Sequence, residues 1–160
     1  MENVHNITAG PTAITQRREW LSVLSRATEQ ELQTGFERLG GVPDAKIVKP
    51  AVVGSVMIEA RAGGTGQRFN AIEATVTRCV VQLESSLGVS YALGRDRSQA
   101  HLSAIADALL QKVHGIEPAF ETTKAALVAP IVQRLESQQR ENARKAASTK
   151  VEFFTMVRGE

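Results

Sequence analysis

The chain has 160 residues, a mass of 17.3 kDa, a formal net charge of +2 and a sequence pI near 8.9, with 42% hydrophobic residues. That composition supports one domain with a real core and excludes a disordered chain; the basic excess is too small to argue for nucleic acid. One cysteine, Cys79, excludes an internal disulfide and an iron–sulfur cluster held by this chain alone, and no run approaches the roughly 18 apolar residues of a membrane span.

Residues 1–12 read as a loose lead-in with no apolar signal segment, so we expect a soluble, cytoplasmic protein forming a single domain over residues 1–160. From Ala13 the spacing predicts a helix, with Ile14, Arg17, Leu21 and Leu24 in one row and Trp20 beside it as a packing residue. Thr28-Glu29-Gln30-Glu31 fits a capping box, in which the Thr28 hydroxyl and the Glu31 carboxylate satisfy each other's backbone N–H. Leu32, Phe36 and Leu39 line the next helix, Gly40-Gly41 supplies a left-handed stop and Pro43 prevents continuation. These two helices read as a helical hairpin, a motif that carries no chemistry.

Residues 46–49 read as a short strand ended by Pro50, which belongs at an edge or a break. Residues 54–61 alternate, with Val56, Ile58 and Ala60 pointing one way and Ser55, Met57, Glu59 and Arg61 the other. Arg61-Ala62-Gly63-Gly64-Thr65-Gly66-Gln67-Arg68 then forms a turn in which glycine permits positive φ. Its N–H groups, with Arg61 and Arg68 on either side, could cradle a phosphate or phosphonate; the plain alternative is a hairpin loop with two solvated arginines. It is not a Walker A loop, since no Lys-Ser or Lys-Thr follows.

Residues 69–83 read as a long return strand. Ile72, Ala74 and Val76 share one parity and Cys79, Val81 and Leu83 the other, so a bulge near Arg78 would turn both sets to the core and give Arg78 a special aim. Cys79 then reads as a small core residue. After a turn at residues 85–88, Val89, Tyr91 and Leu93 mark a third strand, and Ser98 is the expected N-cap of a helix with Leu102, Ile105, Ala106, Leu109, Leu110 and Val113 as its apolar stripe. Arg95-Asp96-Arg97 stands at that helix N-terminus, either as an anion site or with Asp96 capping the helix.

Gly115 ends the helix, Pro118 starts another and Pro130 breaks it near Ala129. The helix that follows keeps Ile131, Val132 and Leu135 as its last apolar contacts. Beyond them it is polar nearly all round, with Glu136–Arg140 and Glu141–Lys145 as i,i+4 pairs. The tail, residues 149–160, reverses the character: Val151, Phe153, Phe154, Met156 and Val157 are apolar on both faces, with Arg158 after them. Such a segment returns to the core or docks on a partner, and the polar helix before it favours the partner.

His5, His101 and His114 show no metal-ligand spacing, so no metal is assigned, and no catalytic triad or carboxylate dyad can be argued. The elements sum to an α+β fold: an N-terminal helical hairpin, a small antiparallel sheet of three to four strands, C-terminal helices and an extended apolar tail. Binding candidates for phosphate or phosphonate are Arg61, Gly63, Gly64, Thr65, Gly66, Arg68, Arg78 and Arg95.

Several stretches together resemble one family, the PhnG subunit of the bacterial phosphonate carbon–phosphorus lyase system. They are residues 18–24, Arg61 with Gly63-Gly64-Thr65-Gly66 and Arg68-Phe69, Ala74-Thr75, Thr77-Arg78, Leu87-Gly88, Ser90, Gly94-Arg95-Asp96, residues 104–109 and the terminal residues 151–159. The resemblance implies an accessory, non-catalytic subunit of a transferase complex, alpha-D-ribose 1-methylphosphonate 5-triphosphate synthase. In that reaction an alkylphosphonate displaces adenine from MgATP. It implies PhnI-, PhnH- and PhnJ-like partners and a PhnL-like accessory protein, MgATP as a substrate of the complex, and no cofactor bound by this chain alone. A stand-alone phosphate-ligand or nucleotide-binding enzyme is the alternative.

Overall fold

The computed structural model describes residues 11–148. Among them, α1 (Pro11–Leu24) and α2 (Glu29–Arg38) precede β1 (Lys46–Arg61), β2 (Arg68–Leu83) and β3 (Ser86–Leu93), and α3 (Arg97–Val113), α4 (Ala119–Leu127) and α5 (Ala129–Ser148) follow. The strands form one antiparallel sheet in the order β1-β2-β3, so the fold is α+β as expected. The first helix starts at Pro11 rather than Ala13, because proline is well suited to a first helical position.

The core is organised around α3, on which Ala100, Ala104, Ala106, Ala108 and Leu110 have no exposed surface. This helix lies on β2 and β3, and α1, α2 and α4 pack around it. Small residues on β3 permit the close approach: the Ser90 hydroxyl donates to the Ala100 carbonyl at 2.7 Å, and Gly88 leaves room for the Ala104 carbonyl. Trp20, Leu24, Leu32, Phe36, Leu127 and Ile131 complete the core from the surrounding helices. Ile14 shares a helical row with Leu21 and Leu24 but is exposed.

The α2 capping box forms as read. Glu31 N donates to Thr28 Oγ1 at 3.2 Å, and Thr28 N donates to Glu31 Oε2 at 2.8 Å. A third partner arrives from α5: Arg134 donates to both Glu31 oxygens, at 2.6 and 3.0 Å, and to the Arg26 carbonyl at 2.7 Å. Burial pushes the Glu31 carboxyl up, but the bonds from Arg134 and Thr28 outweigh it and hold the group below its ordinary value. A carboxyl so depressed stabilises the fold above its unfolded pKa and loses that contribution as pH falls through the folded one. Glu31→Gln is therefore expected to cost about 2 kcal/mol at neutral pH, with the gap to the unsubstituted protein closing below about pH 4. Urea unfolding at pH 7 and at pH 3.5 measures both; an unchanged gap would show that the charge contributes nothing.

The sheet departs from the sequence reading in two ways. Pro50 does not end a strand, because β1 runs through it. Proline is tolerated there because β1 is an edge strand and register shifts between Ile47 and Lys49 and between Lys49 and Val52 surround it. Among the described residues three strands therefore make the sheet, within the three to four expected. The expected bulge at Arg78 is also absent: Lys49 pairs with Val80 and Val52 with Arg78, so the extra residue belongs to β1, while β2 pairs regularly with β3 past Arg78. As a result Thr77, Cys79, Val81 and Leu83 face α3, and Ile72, Ala74 and Val76 face the other way.

The C-terminal half follows the proline reading. One helix ends at Leu127 and the next begins at Ala129, with Pro130 in the first turn, where its missing N–H is not needed. Ile131 is buried, Val132 and Leu135 pack on the core, and residues 136–148 are all exposed. Both i,i+4 pairs form, Glu136 with Arg140 at 3.2 Å and Glu141 with Lys145 at 2.7 Å. Among the described residues no helix is long and apolar enough to cross a membrane.

Candidate functional site

The Gly-rich stretch closes the β1–β2 hairpin, and Arg61 and Arg68 are paired opposite each other at its tip. Ala62–Gly64 makes one 3-10 turn, with φ of 58° at Gly63 and 83° at Gly64, values that favour glycine. The turn consumes part of its own donor set. Ala62 N donates to the Gln67 carbonyl at 3.2 Å, Gly66 N to the Ala62 carbonyl at 2.8 Å, and Thr65 N also turns to Ala62. Gly63, Gly64 and Thr65 stay at the exposed tip. Arg61 donates weakly to the Gly66 carbonyl at 3.4 Å, and Arg68 stands 3.6 Å from Glu59 on the same face, both half in solvent. Two cations meet there on an open surface.

Arg78 and Arg95 do not join them. Ten residues of strand separate Arg78 from Arg68, roughly 33 Å at the usual rise, and Arg78 lies on the opposite face of the sheet. Its cross-strand neighbours are Val52 and Tyr91, and with Lys49, Val80 and Val89 they line a shallow concavity of ≈ 310 Å³. Arg95 follows the end of β3, beside a Gly94 fastened to β2 through the Thr75 carbonyl and the Thr77 hydroxyl. The N-cap of α3 is Asp96 rather than Ser98: its carboxylate accepts from Gln99 N at 2.9 Å. The helix N-terminus thus holds its own anion, since an aspartate one turn ahead of Gln99 reaches the free N–H before any ligand. The expected docking residues Val151, Phe153, Phe154, Met156, Val157 and Arg158 lie outside the described residues.

Sequence reasoning missed the most connected polar group. Asp107, with no exposed surface, accepts Arg17 Nε at 3.2 Å, Arg17 Nη2 at 2.8 Å, Trp20 Nε1 at 2.9 Å, Val89 N at 2.9 Å and Gln111 Nε2 at 3.1 Å. The signal was present as opposite charges inside two apolar rows, Arg17 on one helix and Asp107 on another. A carboxylate offers about four lone-pair positions, so these five bonds leave none for a substrate or a transferred proton. The cluster fastens α1, α3 and the open edge of β3; it is not a catalytic base. Burial raises the Cys79 thiol above its ordinary value, against a smaller opposing bond from Val80, and its sulfur donates to the Lys49 carbonyl at 3.4 Å, consistent with a core residue rather than a nucleophile. Among the described residues no three His, Cys, Asp or Glu side chains gather to hold a metal.

Comparison with known proteins supplies what this geometry lacks. A family model described as phosphonate metabolism protein PhnG matches residues 15–159. The alpha-D-ribose 1-methylphosphonate 5-triphosphate synthase subunit PhnG of Rhizobium meliloti (strain 1021) is 38% identical over 154 residues, covering 96% of this chain and 96% of its own.

Proposed function

From the premise that the chain belongs to the phosphonate metabolism protein PhnG family, we propose that it is an accessory subunit of a complex that transfers the ribose triphosphate moiety of MgATP to an alkylphosphonate and releases adenine. The similarity to a named synthase subunit along 96% of both chains carries this reading. Its partners are PhnI-, PhnH- and PhnJ-like subunits, with a PhnL-like protein assisting. The saturation of Asp107 and the burial of Cys79 support a subunit that contributes shape and charge rather than acid–base or nucleophilic chemistry.

Within that role, Arg61 and Arg68 with the turn at Gly63, Gly64, Thr65 and Gly66 are the contact to a phosphate-bearing ligand, and residues 149–160 fasten the chain to a partner. Adenine release from MgATP with methylphosphonate tests the whole reading. The isolated chain is expected to show no turnover and the tagged complex to show it; turnover by the isolated chain would establish the stand-alone enzyme instead. In the same assay Arg68→Ala is expected to lower the rate about tenfold or more, as loss of a charged contact does, without changing recovery of the complex. Deleting residues 149–160 is expected to abolish that recovery. Unchanged kinetics would leave the turn as a plain hairpin, and full recovery would remove the tail from the docking surface.

A further inference from the structure

The face of the sheet turned away from α3 meets α1 only at the β3 edge, beside Leu87 and Val89, and apart from Val76 its side chains are exposed or half-buried. Ile58, Ile72, Leu87, Tyr91 and Leu93 lie on it and are between 40% and 60% exposed. Pairing with β3 ends at Val76, and β1 and β2 continue beyond it as a two-stranded ribbon to the turn at residue 62. A free ribbon of that kind is marginal in water, and contiguous exposed apolar surface marks an interaction site.

The charge on this face identifies the kind of occupant. Arg78 stands within it, between Val52 and Tyr91, and makes no hydrogen bond or ion pair among the described residues. The three strands hold two acids, Glu59 and Glu73, and the register puts both on the opposite face. A second copy of the same face would therefore set Arg78 against hydrocarbon or another arginine, with no carboxylate to neutralise it, and an unpaired buried charge is strongly disfavoured. We infer that this face docks a companion subunit of different sequence, whose own apolar surface carries an Asp or Glu that pairs with Arg78. The inference rests on the subunit reading above and says which surface of this chain serves it.

The test uses the intact complex, purified from the native host through an affinity tag on this chain, with the photo-crosslinker p-benzoylphenylalanine in place of Tyr91. Irradiation is expected to join position 91 to a different polypeptide, at a peptide containing Asp or Glu. The same crosslinker at Met57, exposed on the opposite face, is expected to give at least about tenfold less product. Arg78→Glu is expected to lower companion recovery about tenfold or more, and Arg78→Lys to retain most of it. A crosslink to a second copy or to residues 149–160 of the same chain overturns the choice of occupant, and equal yield from Met57 overturns the choice of face. Equal recovery from both Arg78 variants overturns the ion pair. If the unsubstituted chain brings down no companion, the subunit reading itself fails and this inference falls with it, an outcome separable from all the others.

Discussion

Replacing Asp107 with alanine is expected to cost about 3–5 kcal/mol of folding stability, a large part of the 5–15 kcal/mol that holds a typical domain together. The loss comes from what remains behind. Arg17 keeps a charge that is two-thirds buried, Trp20 keeps an indole N–H in the core, and Val89 keeps a β3 edge N–H facing no acceptor. Asp107→Asn is expected to recover little, since an amide turns two hydrogens toward a ring of donors. Urea unfolding at pH 7, followed by Trp20 fluorescence, measures both variants directly, because the reporter is one of the partners. A loss below about 1 kcal/mol would mean that water replaces the carboxylate and that the cluster is not a closed network.

Gly88→Ala is expected to cost about 3 kcal/mol, the upper end of what overpacking does. A Cβ at this position would stand 2.0 Å from the Ala104 carbonyl oxygen and 2.8 Å from both the backbone nitrogen and the Cβ of Ala108. Backbone atoms of a buried helix cannot rotate aside as a flexible side chain does, so β3 and α3 would have to separate. Gly54→Ala is the matched control: its Cβ would meet nothing within 4 Å. Replacing a strand glycine in open space is expected to be neutral or to stabilise by about 0.5 kcal/mol. Thermal melting of the two variants side by side separates the close approach from any general effect of glycine. Equal melting points would show that the strand–helix spacing is loose.

Both substitutions act on the same joint, where β3 meets α3 beneath the open sheet face. Val89 supplies its N–H to Asp107 on the edge and its side chain to the concavity around Arg78. Loosening the joint is therefore expected to disturb the surface proposed for partner docking, even though neither Asp107 nor Gly88 is exposed there.

Local features of the fold were legible in the amino-acid sequence because a few neighbouring residues decide them. Thr28 with Glu31 starts a helix, Gly40-Gly41 and Gly115 stop two, Pro130 divides α4 from α5, and Glu136 and Glu141 each pair with the residue one turn on. The Gly-rich hairpin and its two facing arginines belong to the same class, since strand alternation and a turn signal lie on either side of them. Long-range packing decided the rest. Alternation marked β3 but not which side α3 would cover, and the covered side proved to be Gly88, Ser90 and Ala92, because only small residues admit a helix so closely. Apolar Tyr91 and Leu93 were left outside for the same reason. Arg17 and Asp107 are 90 residues apart, and no spacing rule joins them; only the meeting of α1, α3 and the β3 edge turns two misplaced charges into one saturated cluster.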